Sequence, residues 1–325
     1  MPAALLTGVA GQDGVLLTHV LRRRGWHVVG LARPGPRLAA MESYLAGVPI
    51  VEADVRDTAA VLGAIDEHRV DAVVNLAAIS SVGLSWEQPD LVRAVNAESV
   101  SALLAALAER DRAPRLLQAS SAEIFGPGGP HAEDAPIAPV NPYGEAKAAA
   151  HRAVAAARAD GLWACSAVLF NHESPLRGRG FVTRKISAGA AAIALGRQET
   201  LTLGPLDVRR DWSSAHEVVE AMAVVLEREE PVDLVLASGR ATALATFVEA
   251  AFAAAGVSDP WDRVRVDETL RRPTDPAVTV GDPARAHDVL GWRARTDVAG
   301  LARRMVEIDR RRLETGVEEC PDYAL

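Results

Sequence analysis

Two reactive side chains stand four residues apart in the run NPYGEAK, Tyr143 and Lys147. Four residues make about one helical turn, so in a helix both side chains project from one face. A tyrosine with its ordinary pKa near 10 is a poor base at neutral pH, and a neighbouring ammonium would stabilise the phenolate and lower that pKa. Such a pair can take a proton from a hydroxyl while hydride leaves the same carbon. On their own, the two residues are more typical of an ordinary helix surface.

A second polar cluster follows the apolar run LLQAS, which predicts a buried strand. Ser121 can hydrogen-bond a reacting oxygen, and Glu123 supplies a carboxylate for a second proton transfer. Sheets of alternating strands and helices present their chemistry at the carboxyl ends of the strands, where these residues stand. The alternative interpretation makes Ser120 and Ser121 turn formers and Glu123 a charge at a helix start.

Three glycines, Gly8, Gly11 and Gly14, stand in the run TGVAGQDG between the first predicted strand and the first predicted helix. Glycine lets a backbone approach a pyrophosphate closely, and the start of the helix offers free N–H groups and the positive end of its dipole. Three glycines at this spacing also occur by chance in turns. Their position between strand and helix favours a dinucleotide-binding loop.

The second predicted strand, HVVGLAR, ends in Arg33 and has no acidic residue where an NAD enzyme would place one against the ribose 2′-hydroxyl. A guanidinium suits a 2′-phosphate, so the sequence favours NADP over NAD. The alternative is that Arg33 is a solvated loop charge. Asp54 and Val55 follow the third strand, where a carboxylate and a backbone amide could meet the adenine edge.

The elements that must position these residues alternate along the first half of the chain. Short apolar runs predict strands, and the amphipathic runs between them predict helices. The predicted strands are Ala3–Thr7, His27–Leu31, Ala72–Asn75, Arg115–Ala119 and Cys165–Phe170, and the predicted helices are Gly14–Arg24, Thr58–His68, Val100–Arg110 and Tyr143–Ala159. Uniformly apolar strands that alternate with helices predict an α/β fold with a doubly wound parallel sheet, the Rossmann arrangement.

The rhythm changes after Asn171. The pattern predicts helices over Thr183–Leu195 and Ala245–Ala255, a helix opened by Ser214 with Glu217 in a capping box, a strand over Pro231–Ser238 and an irregular stretch over Pro273–Asp282. We predict that residues 1–170, with roughly 208–240, form an NADP-binding Rossmann domain. Residues 171–207 and 241–325 are predicted to form a smaller α/β substrate lobe over the carboxyl edge of the sheet.

Composition excludes several classes of protein. The chain has 325 residues, 49% apolar and 24% charged, which is typical of a globular protein and not of a disordered one. Its 35 Lys and Arg against 43 Asp and Glu give a net charge of −8, the wrong sign for a nucleic-acid or membrane-surface binder. Cys165 and Cys320 stand alone, so neither a disulfide scaffold nor a metal site is expected. The opening run MPAALLTGVAGQDG lacks the features of a signal peptide or membrane span, and we expect a cytoplasmic enzyme.

Taken together, TGVAGQDG, the Ser121 segment and NPYGEAK resemble the extended short-chain dehydrogenase/reductase superfamily that modifies nucleotide sugars. More narrowly, LFNHESPLRGRGFVTRKI at 169–186, LGPLDVRRDW at 203–212 and RPTDPAVTVGDPARAHDVLGW at 272–292 resemble the GDP-mannose 4,6-dehydratase family. The resemblance runs from about residue 4 to about residue 310. The run NHESP followed by FVTRK is long and chemically unusual, and is therefore more specific than the glycines.

The resemblance implies an NADP-dependent lyase that converts GDP-mannose, or a close GDP-hexose or GDP-heptose, to the GDP-4-keto-6-deoxy sugar. It implies catalytic roles for Ser121, Glu123, Tyr143 and Lys147. It implies cofactor contacts from Gly8, Gly11, Gln12, Asp13, Gly14, Arg33, Asp54, Val55, Leu76, Ala77, Ala78, Tyr143, Lys147, Phe170 and His172. It implies substrate contacts from Ser80, Asn171, Arg177, Val182, Lys185, Gly204, Arg210 and Arg272, whose four cations would hold a diphosphate despite the negative net charge.

Several positions depart from the family's pattern. Ser121 stands where threonine is usual and Ala122 where serine is usual, and Leu176 replaces the first of two arginines. The family's QSH is replaced by Ile79, Ser80 and Ser81. The segment RPGPRLAAMESYL after Arg33 is shorter than the arginine-rich family loop that reaches a neighbouring subunit's cofactor. We therefore expect a homodimer built from the helices Val100–Arg110 and Tyr143–Ala159, with a tetramer as the alternative.

Two other functions stay open at this point. A GDP-sugar 4-ketoreductase or epimerase would need Ser121, Tyr143 and Lys147 but has no obligatory use for an acid/base at Glu123. A nucleotide-sensing protein that has lost turnover is the remote alternative, and the intact set of Ser121, Tyr143 and Lys147 argues against it.

Overall fold

The computed structural model describes residues 1–271 and 274–324. The strands are β1 (Ala3–Thr7), β2 (His27–Ala32), β3 (Ile50–Glu52), β4 (Ala72–Asn75), β5 (Arg115–Ser121), β6 (Gly128–His131), β7 (Ala164–Leu169), β8 (Asn171–Glu173), β9 (Leu201–Leu203), β10 (Arg209–Ser214), β11 (Leu234–Leu236), β12 (Ala241–Ala243), β13 (Val264–Val266) and β14 (Val278–Gly281).

The helices are α1 (Gln12–Arg23), α2 (Pro36–Ala40), α3 (Thr58–Glu67), α4 (Val82–Glu87), α5 (Pro89–Arg93), α6 (Ser99–Ala108), α7 (Pro142–Ala159), α8 (Val182–Ala194), α9 (Ala215–Leu226), α10 (Leu244–Ala255), α11 (Ala284–Leu290) and α12 (Val298–Thr315). A π-helical segment, Ala94–Glu98, joins α5 to α6, and short 3₁₀ turns occupy Ala122–Ile124, Glu268–Leu270 and Pro321–Ala324.

The large sheet has the strand order β3-β2-β1-β4-β5-β7-β11, and every neighbouring pair in it is parallel. The chain winds outward from β1 in one direction to β3, then returns to β4 on the other side of β1 and continues to β11. The predicted α/β fold with a doubly wound sheet is confirmed. The carboxyl ends of β1 and β4, where the winding reverses, mark the place at which such folds bind ligands.

Two apolar cores cover the two faces of the large sheet. On one face α1 packs against α9, and Leu16 and Met222 are buried there among strand residues. On the other face α3, α6 and α7 pack against the strands and bury Val61, Leu104 and Val154. The strands are therefore covered on both sides, which accounts for their uniformly apolar sequences.

A third apolar core lies in the carboxyl-terminal half of the chain. Helices α8, α10 and α12 pack on one another around Phe247, Phe252 and Met305, with β9 and β13 beside them. A smaller sheet, β12-β10-β14-β6, pairs β10 also with β8, which follows β7 after a single residue. The smaller sheet therefore begins where a central strand of the large sheet ends. The predicted domain ranges stay a prediction.

Two local predictions for this half are wrong. Ser214 precedes α9 as its N-cap residue, but its side chain makes no capping hydrogen bond. Glu217 instead accepts hydrogen bonds from the backbone N–H groups of Arg295 and Thr296, so its carboxylate holds the segment before α12. The stretch Pro273–Asp282 is not irregular throughout, because its residues Val278–Gly281 form β14 beside β10 and β6. Pro273 itself lies outside the described residues.

The segment Pro89–Ala108 has 20 residues and a mean hydropathy of 1.4, a length and composition that a membrane-spanning helix shares. Half of it is buried within the protein, where α6 packs against α7 and α3. Its outward side carries small residues, among them Ser101, Ala102 and Ala105. A half-buried apolar helix of this kind is equally typical of a helix packed on a protein core.

Candidate active site

The glycine-rich loop joins β1 to α1 and touches the end of β4. Gly8 has φ +68°, and a Cβ there would lie 2.8 Å from the backbone of Ala77. A Cβ on Gly14 would lie 2.5 Å from the carbonyl oxygen of Val9, so both glycines are required by close backbone approach. Gly11 is the N-cap residue of α1 and offers no side-chain cap. The free N–H groups of the first turn of α1 therefore suit an anionic group.

Side chains from the first turn of α1 hold the segment after β7. Asp13 Oδ2 lies 3.0 Å from Nε2 of His172, and Gln12 Nε2 donates to the His172 carbonyl oxygen at 3.2 Å. Ser174 Oγ donates to Gln12 Oε1 at 2.8 Å. Gln12, Asp13 and His172, predicted to contact the cofactor, thus bind one another, and their side chains tie the glycine-rich loop to β8.

The pKa values of Asp13 and His172 shift in opposite directions. Burial opposes ionisation of Asp13, but the charge and hydrogen bond of His172, aided by Arg177, lower the pKa of Asp13 to about 2. Burial likewise opposes the charged form of His172, yet Asp13 raises the pKa of the imidazole overall. The two residues therefore form an ion pair at mildly acidic pH.

The carboxyl ends of β2 and β3 carry the residues predicted to meet the adenosine half of a cofactor. Arg33 is exposed at the end of β2. Asp54 pairs with Arg56 at 2.9 Å, and its pKa is lowered first by that hydrogen bond and more weakly by the charge of Arg33. Val55 is partly buried against the core under α3. Arg37, which sequence reasoning missed, donates from Nε to the carbonyl oxygen of Ala10 at 2.9 Å and so places a second cation beside the glycine-rich loop.

The catalytic candidates of β5 and α7 come together. Tyr143 lies in the first turn of α7, and Ser121, the last residue of β5, is close enough to lower the pKa of its phenol. Lys147 is 3% exposed, and its Nζ donates to the Ala119 carbonyl oxygen at 2.9 Å and lies 6.0 Å from the ring centroid of Tyr143. The neighbouring Ser120 hydroxyl is buried and has no hydrogen-bond partner in the described chain. One strand end and one helix start thus place two candidate catalytic hydroxyls and an ammonium together.

The pKa shifts at this position correct one expectation. Burial raises the pKa of Tyr143 to about 12, and the hydrogen bond from Ser121 only partly opposes that rise. Burial lowers the pKa of Lys147 to about 8, against the charge of Asp13. The expected lowering of the Tyr143 pKa is therefore wrong for this structure, because the cost of burying a phenolate outweighs the stabilising interactions.

Glu123 lies in the 3₁₀ turn that follows β5. Its backbone N–H donates to Ser121 Oγ at 3.3 Å, and its Oε2 accepts from Nδ2 of Asn141 at 2.7 Å. Asn141 is 1% exposed, and its Oδ1 caps α7 by accepting from the backbone N–H of Gly144 at 2.8 Å. Sequence reasoning missed Asn141, although an asparagine directly before the first helical proline is a recognisable N-cap signal.

Two of the four cations predicted to bind the diphosphate already pair with carboxylates of the chain. Arg177 pairs through Nε with Glu173 at 2.6 Å and also donates to the His172 carbonyl oxygen. Arg210 pairs with Asp275 at 2.5 Å and donates to the Pro276 carbonyl oxygen. Lys185 is exposed on α8. Arg272 lies outside the described residues. The binding roles of these residues stay predictions.

The remaining candidates lie at the carboxyl ends of β4 and β7 or in the carboxyl-terminal half of the chain. Leu76, Ala77 and Ala78 follow β4, Phe170 is buried after β7, Ser80 and Asn171 are exposed, Val182 begins α8, and Gly204 follows β9 beside Leu270. Asn96, in the π-helical segment, is buried and exchanges side-chain hydrogen bonds of 2.9 and 3.0 Å with both backbone groups of Ile79. It holds the loop after β4, and no local pattern in the sequence marks it.

Comparison with known proteins agrees with this geometry. A family model described as GDP-mannose 4,6 dehydratase matches residues 5–305. The GDP-mannose 4,6-dehydratase of Sinorhizobium fredii is 38% identical over 338 residues, covering 94% of this chain and 96% of its own. GDP-mannose 4,6 dehydratase 1 of Arabidopsis thaliana is 36% identical over 323 residues, covering 94% of this chain and 89% of its own. The UDP-glucose 4-epimerase of Thermus thermophilus, solved with NAD, superposes with a TM-score of 0.82 at 26% identity, over 95% of this chain and 99% of that one.

The fold and the grouping of Ser121, Tyr143 and Lys147 define a Rossmann-type enzyme of the extended short-chain dehydrogenase/reductase class. Within that class, the chain belongs to the GDP-mannose 4,6-dehydratase family. The family predicted from the motifs is confirmed. The predicted class of activity, 4,6-dehydration of a GDP-sugar, is confirmed with it.

Proposed function

We propose that this chain removes water from a GDP-sugar by oxidation at C4, elimination of the C6 hydroxyl and return of the hydride to C6. The position of Ser121 supports this proposal, because its hydroxyl interacts with Tyr143 and also accepts a hydrogen bond from the backbone N–H of Glu123. The Ser121 hydroxyl therefore links Tyr143, which we propose for the oxidation, to the turn that carries Glu123, which we propose for the elimination. A 4-ketoreductase or epimerase has no obligatory use for a carboxylate at that second place.

The steps balance with the side chains at hand. Tyr143 accepts the proton of the C4 hydroxyl as hydride leaves C4, while Ser121 hydrogen-bonds the same oxygen. The resulting 4-ketone acidifies the C5–H bond, and Glu123 takes the C5 proton. Glu123 passes that proton to the hydroxyl leaving C6, which departs as water. After hydride returns to C6, Tyr143 gives its proton to C5, so the sugar has lost one water and both residues are restored.

The oxidation step requires positive charge near Tyr143, since burial raises the pKa of the phenol to about 12. Lys147 retains its proton for the most part at neutral pH even though burial lowers its pKa to about 8. A nicotinamide cofactor, when bound, supplies the hydride acceptor for this step and the hydride donor for the last one. We propose that the Lys147 ammonium, together with the charge of Arg177, makes Tyr143 a usable base.

We propose NADP as that cofactor. Gly11 leaves the start of α1 uncapped, and the glycine backbone lies where a pyrophosphate would be held. Arg33 at the end of β2 and Arg37 beside Ala10 supply two cations for a 2′-phosphate. Asp54 is already neutralised by Arg56, so it does not oppose that phosphate. The Thermus epimerase was solved with NAD, which supports a nicotinamide cofactor without choosing between the two forms.

We propose GDP-mannose, or a close GDP-hexose or GDP-heptose, as the substrate. Arg177 and Arg210 are paired with carboxylates of the chain, so Lys185 and the family-implied Arg272 are the proposed direct diphosphate contacts. Arg177 would instead stabilise the segment after β7, through its ion pair with Glu173 and its hydrogen bond to the His172 carbonyl oxygen. The substrate lobe of residues 171–207 and 241–325 would close over the bound sugar and exclude water.

We further propose a cytoplasmic homodimer in which α6 and α7 meet their copies across a two-fold axis. The outward residues of α6 include Ala102 and Ala105, and those of α7 include Ala149 and Ala156. Small side chains let helices approach closely, and an apolar helix that is half-exposed in one chain gains most from such contact. Light scattering at micromolar protein, with and without NADP, tests the dimer, and a tetramer would contradict it.

The function is tested by incubating the purified chain with NADP and a panel of GDP-sugars, and reading product masses. We expect GDP-mannose or one close relative to lose the mass of one water. A product of unchanged mass, or one that gains two hydrogens when NADPH is supplied, would favour an epimerase or ketoreductase instead. Glu123→Gln is the matched variant: it should abolish water loss while hydride abstraction stays visible as reduced-nicotinamide absorbance. Normal dehydration by that variant would remove Glu123 from the mechanism.

A further inference from the structure

The Asn141 side chain makes two contacts, and only one of them is a helix cap. Its Oδ1 accepts from the Gly144 backbone N–H at 2.8 Å, and its Nδ2 donates to Glu123 Oε2 at 2.7 Å. Because a backbone N–H can only donate, the cap fixes which end of the amide faces α7. The NH₂ end must then face Glu123, and the contact between Asn141 and the carboxylate has a defined direction.

The chain around this contact is built for close approach. Asn141 is 1% exposed, so its amide is held in one arrangement by packing. A Cβ on Gly144 would lie 2.4 Å from the Glu123 carbonyl oxygen, and only glycine lets α7 begin this close to the turn that carries Glu123. The helix that supplies Tyr143 is thereby fixed to the turn that supplies Glu123. The spacing between the oxidising and eliminating groups is set by this junction.

The contact also distinguishes the two carboxylate oxygens. Oε2 of Glu123 accepts from the NH₂ group of Asn141, which can only donate, and this favours the ionised carboxylate at that oxygen. Oε1 has no hydrogen-bond partner within residues 1–271 and 274–324. The free oxygen is therefore the one able to take a proton. The charge of Glu123 adds to the effect of burial in raising the pKa of Tyr143.

We propose that Asn141 is a positioning residue for the elimination step, holding Glu123 Oε2 so that Oε1 faces the proton at C5. This inference rests on the proposed role of Glu123. It predicts that loss of the amide donor with the cap of α7 kept affects elimination selectively, because Ser121 and Tyr143 carry the oxidation step.

Three substitutions separate this role from capping. Asn141→Asp and Asn141→Ser keep a good N-cap for α7 but lose the amide donor, and Asn141→Ala loses both. A purely structural role predicts that only Asn141→Ala is harmed, with a lower thermal midpoint. A positioning role predicts slow water loss in all three, with a near-native thermal midpoint for the aspartate and serine variants.

The expected size follows from the contact removed. Loss of one hydrogen bond to a charged group should slow water loss about 10- to 100-fold in Asn141→Ser. Asn141→Asp should be slower again, because a second carboxylate then faces the first. Hydride abstraction, followed in a single turnover as reduced-nicotinamide absorbance, should change less than about threefold. Reduced nicotinamide should therefore accumulate in both variants and not in the native protein.

The test uses the full chain with NADP and GDP-mannose, with Glu123→Gln run beside the Asn141 variants. Accumulation of reduced nicotinamide with slowed water loss in Asn141→Ser supports the proposal. Native water loss in Asn141→Ser and Asn141→Asp, or equal slowing of both steps, would overturn it. If Glu123→Gln also dehydrates normally, the proposed role of Glu123 fails; if Glu123→Gln is blocked while the Asn141 variants are native, only the role of Asn141 fails.

Discussion

Two regions of the site differ in whether their polar side chains already have partners within the chain. The catalytic region contains Tyr143 and Glu123, and the cationic region contains Arg177 and Arg210. In the catalytic region Tyr143 lies near Ser121, and one oxygen of Glu123 has no hydrogen-bond partner in the described chain. In the cationic region Arg177 and Arg210 are paired with carboxylates. A count of arginines therefore does not measure affinity for a diphosphate, because an incoming phosphate must compete with carboxylates already in place. We therefore expect the catalytic residues to act on the substrate directly and the paired arginines to act partly by ordering the chain.

The largest effect should come from the catalytic region. Tyr143→Phe removes the oxygen that takes the C4 proton and should slow turnover by roughly 10²- to 10⁴-fold, the range for loss of a positioned acid or base. Turnover is measured as water loss by mass spectrometry. The thermal midpoint is the control and should stay near native, because the ring is retained. A decrease in turnover of less than about tenfold would mean that Tyr143 does not take the C4 proton.

The next largest effect should come from the cationic region, but on stability. Glu173 is 2% exposed and accepts hydrogen bonds from Arg177 and Thr183. Glu173→Ala leaves a mostly buried guanidinium without its carboxylate and should lower the free energy of unfolding by about 3–5 kcal/mol. Urea unfolding measures this change.

A matched control removes an ion pair that lies on the surface. Glu268 pairs with Arg271 at 3.1 Å, and both side chains are about half exposed or more. Glu268→Ala should cost no more than about 1 kcal/mol. The contrast between the two regions would fail if Glu173→Ala destabilised the chain as little as this control and also bound GDP more tightly. Arg177 would then be a diphosphate ligand that Glu173 keeps from binding.

The same contrast explains what the sequence could predict. The sheet and the catalytic set followed from local patterns, because apolar runs mark strands and Tyr143 and Lys147 share one helical turn. The partners of the cations did not follow. Arg210 meets Asp275 across 65 residues through the pairing of β10 with β14, inside a proline-rich stretch that the pattern left irregular. Asn141 was readable as a cap, but its contact with Glu123 depends on how β5 and α7 pack.

A smaller effect should appear at the cofactor end. Arg33 makes no ion pair within the described residues and is exposed, so it is free to bind a 2′-phosphate. Arg33→Ala should reduce the preference for NADP over NAD by about 1–3 kcal/mol, the value of one charge-assisted contact. Dissociation constants for both cofactors, measured by fluorescence titration, test this. Arg112→Ala is the control, because Arg112 is an exposed cation that pairs with Asp71 at the amino end of β4, at the opposite edge of the sheet. An unchanged preference in Arg33→Ala would move the specificity to Arg37.

The smallest effect should come from the ion pair that joins the glycine-rich loop to β8, Asp13 with His172. The pKa of His172 is raised in the folded chain, so its contribution to stability is fully present below its ordinary value of 6.5 and is lost as pH rises through the raised pKa. The pKa of Asp13 is lowered from 3.8 to about 2, so its contribution is present above 3.8 and is lost as pH falls through about 2. The pair therefore stabilises most between about pH 4 and 6.5. Asp13→Asn should lower the free energy of unfolding by on the order of 1 kcal/mol there, and by less at mildly alkaline pH. Urea unfolding at several pH values measures the difference, and a loss that is the same at every pH would mean that the loop is tied to β8 by Gln12 and Ser174 instead, through hydrogen bonds that do not titrate.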